Sequence, residues 1–134
     1  MVYVTKRVEF SAAHRLFNPE FSDELNEEIY DKCNNYYGHG HNYILEVTVA
    51  GEPDPQTGYL IDLKKLKRIL LDELISKVDH KHFNYDVPFM QGKIPTVENI
   101  ITEFWKVLAD KIPAGKLYKL KLWETENSYA EYFG

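Results

Sequence analysis

Long apolar runs are missing from this sequence. No stretch approaches the 18 consecutive apolar residues that a membrane-spanning helix requires, and no charged-then-apolar segment resembles a secretory leader. These absences predict a soluble, cytoplasmic protein without a membrane partner. Cysteine is nearly missing as well: Cys33 stands alone, so no internal disulfide can form, which suits a reducing compartment and leaves one free thiol. An excess of positive charge is also lacking. Sixteen Lys and Arg face 21 Asp and Glu, a formal net charge of -5. Sequence-independent nucleic-acid binding depends on clustered cations that neutralise phosphates, so a small-molecule partner is expected instead. There is no repeat, low-complexity stretch or Gly/Ser linker. What is present is 134 residues, 44% apolar and 14% aromatic, enough for one core in one domain spanning residues 1–134.

Hydrophobic periodicity predicts an α+β domain with element order ββααββ. From Val2 to His14 the even positions Val2, Val4, Val8, Phe10 and Ala12 are apolar or small, Lys6 excepted, and the odd ones are mostly polar. From His39 to Gly51 the odd positions Tyr43, Leu45, Val47 and Val49 form the apolar face. Asp62 is placed to cap a helix with the stripe Leu63, Leu66, Leu70, Leu74 and Val78. Thr96 caps a second helix, with Glu98 in its first turn and the stripe Val97, Ile101, Phe104, Leu108 and Ile112. Two strands follow, Leu117 to Glu124 and Ser128 to Phe133.

Strand parity puts His14 on the apolar face of the first strand, and His39 and His41 on that of the second. Antiparallel pairing then brings the three imidazoles together at one end of the sheet. Three neutral imidazoles with a fourth position open are a ligand set for catalytic zinc, whereas structural zinc sites usually close all four positions. A lone histidine would read as a polar strand-end residue, but a His-x-His pair with a third on the matching face outweighs that reading. Gly38 and Gly40 flank the pair, either allowing close approach to a metal or simply beginning the strand.

The connection between these strands is about two dozen residues, far longer than a hairpin needs, and it carries Cys33 in a polar setting. A nearby metal or protonated histidine would lower the thiol pKa, and a loop cysteine of no consequence is the plain alternative. Asp79-His80 directly follows the first helix, so a carboxylate can orient an imidazole for proton transfer. His82 forms a rival His-x-His with His80 but lacks a third ligand, and reads as a surface or supporting residue. Glu124 continues the apolar face Tyr118, Leu120, Leu122 of the third strand. A carboxylate there is costly unless paired, and its two oxygens can accept from an amidine-like ligand edge. A strand-end acid pointing into water is the alternative.

The motifs Phe10-Ser11-Ala12-Ala13-His14, Cys33-Asn34-Asn35-Tyr36-Tyr37-Gly38-His39-Gly40-His41-Asn42-Tyr43, Asp79-His80-Lys81, Pro95-Thr96-Val97-Glu98-Asn99 and Glu124-Thr125 together resemble the 6-pyruvoyltetrahydropterin synthase family over essentially the whole chain. The resemblance implies the tunnelling fold: a four-stranded antiparallel sheet with two helices on one face, three subunits closing a barrel and two barrels stacking as a homohexamer. It implies Zn2+ on His14, His39 and His41, Cys33 as proton acceptor, Asp79 and His80 as relay partners, and Glu124 as pterin anchor and relay member, with Thr96 as a further substrate contact. The implied substrate is 7,8-dihydroneopterin triphosphate. Five residues between Cys33 and His39 resemble the pyruvoyl enzymes, whereas Leu60-Ile61-Asp62 resembles the 6-carboxytetrahydropterin synthases of deazapurine synthesis. Val97 stands where animal sequences have a second threonine. Beside these stand a different three-histidine zinc enzyme, such as a hydrolase, and a non-catalytic pterin- or metal-binding module.

Overall fold

A computed structural model describes residues 1–134. Strand β1 (Val2–His14) pairs antiparallel with β2 (His39–Gly51) along its whole length, and β2 pairs with β4 (Lys116–Thr125), which pairs with β5 (Ser128–Tyr132). A two-residue strand, β3 (Lys81–His82), lies parallel to β1 at Ala12 and Ala13. The sheet therefore has five strands in the order β3-β1-β2-β4-β5, not four, and one pairing is parallel. Two residues are too few to show a period, which is why alternation missed β3.

One face of the sheet carries the core. Val8, Phe10, Tyr43, Leu45, Val47, Val49, Leu120 and Leu122 pack there against Leu66, Leu70, Leu74, Val78, Ile100, Ile101, Phe104 and Leu108. The first of the covering helices, α2 (Leu63–Leu70), is capped by Asp62 and runs through a π turn, Leu71–Ile75, into the short α3 (Ser76–Val78). The reason lies in the spacing: Leu66, Leu70, Leu74 and Val78 stand four apart, so in a regular helix each would drift by about 40° from the last. The wider π turn takes up part of that drift, and all four are fully buried. Leu63, expected in the same stripe, is 43% exposed. The second long helix, α4 (Val97–Leu108), stops before Ile112 and buries Ile100 beside the expected stripe.

Two further differences concern local geometry. A short helix, α1 (Asp23–Tyr30), occupies the β1–β2 connection, so three helical segments longer than one turn are present rather than two. In β4 the register shifts opposite Thr48 and Val49, making Tyr118 the extra residue. Leu117 then packs on the core, while Tyr118 turns to the other face against Tyr3, ring centroids 4.7 Å apart, and Phe133. That face carries no helix. It is polar and aromatic, with a Thr5–Thr48 hydroxyl pair at 2.8 Å and the Lys121 ammonium over the rings of Trp123 and Tyr129. The edge of β1 before Ala12 and the outer edge of β5 are unpaired. No helix is long and apolar enough to cross a membrane.

Candidate active site and metal centre

Because β1 and β2 register with His14 opposite His39 and Ala12 opposite His41, all three imidazoles leave the sheet on its core side at one end. One ring nitrogen from each falls within 4.8 Å of the others. His14 is fully buried, and its Nδ1 lies 2.8 Å from the carbonyl oxygen of Pro95, just ahead of α4. An imidazole donates its N–H to a carbonyl, so this bond fixes the tautomer and leaves the His14 Nε2 lone pair facing His39 Nε2 at 3.0 Å. Burial pulls the His14 pKa down to about 4, and it also lowers those of His39 and His41. All three are thus held neutral, the form in which imidazole binds a metal.

The donor set fits a zinc ion. His41 Nε2 is buried without a hydrogen-bond partner, a costly state for a polar atom unless something absent from the protein itself binds it. Nitrogen donors suit zinc, and three of them leave a coordination position open. Gly38 serves the same geometry. Its φ is +81°, and a Cβ there would lie 2.7 Å from the His14 carbonyl oxygen and 2.8 Å from His82 Nε2. Gly40 carries no such demand, since a Cβ would meet only the Ala12 carbonyl oxygen at 3.5 Å.

Glu124 stands beside the cluster, its Oε1 3.8 Å from His41 Nε2. It is half-buried, and burial followed by the charge of Glu98 raises its pKa. Cys33 sits in a turn of 3-10 helix, Asp31–Asn34, and is partly buried. Burial, then the charges of Glu124 and Asp31, push the thiol up; the lowering expected from the sequence depends on a nearby metal or protonated histidine. A bound cation would act in the other direction. Thr96 caps α4, its hydroxyl accepting from the Asn99 N–H at 3.2 Å, and follows the Pro95 that orients His14.

Asp79 and His80 form the expected dyad, His80 Nδ1 lying 3.0 Å from Asp79 Oδ1. The Ser11 N–H donates to the same Asp79 oxygen at 2.9 Å and is the main cause of its lowered pKa. His80 adopts φ 60°, a conformation uncommon for a side chain larger than glycine and often found at functional sites. Its side chain is 82% exposed and lines a cleft of about 460 Å³ with Ser11, Gly40, Asn42, His41 and His82. Ser11 and Asn42 belong to the helix-free face. Cys33 is not among the residues that line this cleft.

His82 is less exposed than its loop position predicts. Its Nδ1 accepts from the Asn84 N–H at 3.2 Å, which puts the proton on Nε2, and that atom is buried under Gly38 without a partner. The Pro95 carbonyl, Tyr43, whose hydroxyl is 3.4 Å from His14 Nδ1, and Arg15 escaped the sequence reading. Tyr43 was legible only as core, and a backbone carbonyl from a distant loop leaves no sequence signal.

Comparison with known proteins agrees with this geometry. The human protein named 6-pyruvoyl tetrahydrobiopterin synthase is 43% identical over 131 residues, covering 98% of this chain and 90% of that one. A Rickettsia felis protein named 6-carboxy-5,6,7,8-tetrahydropterin synthase is 29% identical over 150 residues, covering 98% and 99%. A solved structure of Caenorhabditis elegans 6-pyruvoyl tetrahydropterin synthase superposes with a TM-score of 0.93 at 37% identity, covering 99% of this chain and 95% of that one. Similarity is thus greater on the pyruvoyl side than on the carboxy side. The family model described as 6-pyruvoyl tetrahydropterin synthase matches residues 3–134, nearly the whole chain, and it is to this family that the protein belongs.

Proposed function

We propose that the protein is a zinc-dependent lyase that converts 7,8-dihydroneopterin triphosphate to 6-pyruvoyltetrahydropterin with elimination of triphosphate. The observation that carries this reading is the cluster of three neutral imidazoles with the orphaned Nε2 of His41, set beside a thiol-bearing turn and a half-buried carboxylate. His14, His39 and His41 hold the ion. When bound, zinc supplies positive charge that polarises the substrate side-chain oxygens, acidifies the neighbouring C–H bonds and favours the Cys33 thiolate.

The protein groups divide the remaining work. Cys33 takes the side-chain proton. Glu124 accepts from the amino-pyrimidine edge of the pterin and holds the reacting carbon near the thiol, with Thr96 beside it. Asp79 keeps the Nδ1 proton of His80 in place, so that Nε2 exchanges protons as the hydrogens move from side chain to ring. No external reductant enters, because the side chain is oxidised as the ring is reduced. His80 is exposed to solvent beside Ser11 and Asn42, and we assign its partner thiol to another copy of the chain. A homohexamer of two stacked barrels, closing the unpaired edges of β1 and β5, provides such a neighbour. We place this assembly in the cytoplasm.

Incubating zinc-loaded protein with 7,8-dihydroneopterin triphosphate and weighing the product tests the reading. The expected product is 6-pyruvoyltetrahydropterin with one triphosphate released. A 6-carboxytetrahydropterin product would transfer the chain to the deazapurine branch, and tight pterin binding without turnover would make it a binding module.

A further inference from the structure

Arg15 follows His14 at the end of β1, and its surroundings are unusually ordered for a residue entering a long loop. Its main chain is gripped on one side by Asn84: the Arg15 N–H donates to Asn84 Oδ1 at 2.8 Å, and Asn84 Nδ2 donates to the Arg15 carbonyl at 2.9 Å. Its side chain reaches the other way. Nε donates to the Asn34 carbonyl oxygen and Nη2 to Asn34 Oδ1, both at 3.1 Å. The guanidinium lies 4.0 Å from the ring centre of Phe17 and 5.3 Å from that of Tyr36. One residue on, the Leu16 N–H donates to the carbonyl of Cys33 at 2.8 Å.

We propose that Arg15 is the positioning residue of the Cys33 thiol, clamping the turn that carries it to the end of β1. The proposal rests on the reading of Cys33 as proton acceptor. Two consecutive carbonyls, those of Cys33 and Asn34, are tied to residues 15 and 16, and residue 15 is itself fixed to the β3 turn through Asn84. The thiol is thereby held in register with His14, the neighbouring residue of the clamp. The action is geometric. The charges that act on the thiol are those of Glu124 and Asp31, while Arg15 spends a planar two-donor fork on Asn34 and packs its flat face on two rings. A lysine offers one compact ammonium on a flexible stem and cannot make that fork. Displacing a reacting group by about 1 Å can cost on the order of 100-fold in rate.

The test uses the zinc-loaded protein and the variants Arg15→Ala, Arg15→Lys, Asn34→Ala and Arg15→Ala with Asn34→Ala. Four quantities are read: kcat, KM, bound zinc, and the rate at which iodoacetamide alkylates Cys33. Arg15→Ala and Arg15→Lys are expected to lower kcat by about 10- to 100-fold with KM within about twofold. Zinc content stays at the parent value and Cys33 alkylates several-fold faster. Asn34→Ala, which removes only the side-chain acceptor, gives a smaller change in the same direction, and the double variant is no worse than Arg15→Ala. Parent-like kcat and alkylation in Arg15→Ala would overturn the proposal. So would full recovery in Arg15→Lys, or loss of zinc with the alkylation rate unchanged, which would make Arg15 a support of the strand end. Cys33→Ala with undiminished turnover would instead remove the reading of Cys33 as base, and the alkylation result would still stand.

Discussion

The two chemistry-bearing regions are built in opposite ways. The histidine cluster lies on the core side of the sheet, His14 fully buried and His39 and His41 partly so, its rings fixed by strand register, a backbone carbonyl and the close approach of Gly38. The Asp79–His80 dyad stands at the β1 edge of the sheet, His80 open to solvent and held in a positive-φ conformation. On the proposed reading, one chain furnishes the first region completely and the second only in part. A metal centre has to exclude competing ligands and hold its donors neutral, which burial achieves. A proton relay completed by a neighbour has to remain accessible to it.

The largest effect should separate the regions by metal content. His39→Ala is expected to lose both zinc and turnover, whereas Cys33→Ala keeps its zinc and loses about 1000-fold in turnover. Metal analysis alongside a product assay reads both, and undiminished turnover in Cys33→Ala would remove the base assignment. Next, co-expression of Cys33→Ala with His80→Ala probes whether the relay crosses between copies. Each variant alone is expected to be nearly inactive, and random mixing in a closed assembly restores roughly a quarter of the sites. No recovery would place thiol and dyad in the same subunit.

The smallest effect is a matter of pH. His14 has a folded pKa of about 4 against 6.5 when unfolded, so between these values the unfolded chain binds more protons. Stability is therefore complete above pH 6.5 and falls as the pH drops towards 4. The loss is about 3 kcal/mol in metal-free protein, and His39 and His41 add to it in the same direction. Denaturant titrations across that range measure it, and a flat profile would mean that His14 is not buried as described.

Legibility in the sequence followed the same division. The bounds of β1 and β2 were visible because alternation, broken in β1 only by Lys6 on the apolar face, spans most of the 13 residues in each, and the same parity brought His14, His39 and His41 together. Helix α1 was hidden because it is only eight residues long and half of them are Asp23, Glu24, Glu27 and Glu28, so the spacing of Leu25 and Ile29 is too short a signal; Ser22 as a cap was the other one available. The π turn was masked by a stripe that looks regular, and the extra residue at Tyr118 by an apparent continuation of Leu120 and Leu122. The hydrogen bonds that tie Arg15 and Leu16 to the Cys33 turn were not legible, since they depend on where loops settle after the sheet has formed.

The tether from His14 to the Pro95 carbonyl also bears on exchange kinetics. His14 cannot swing aside without opening the junction between the end of β1 and the start of α4, whereas His39 and His41 are only partly buried. An ion held by the three should therefore leave stepwise, with the β2 imidazoles letting go first and His14 last. A chelator would then meet a half-released ion still anchored in the core, and the rate of stripping would be set by the breathing of that junction rather than by affinity alone.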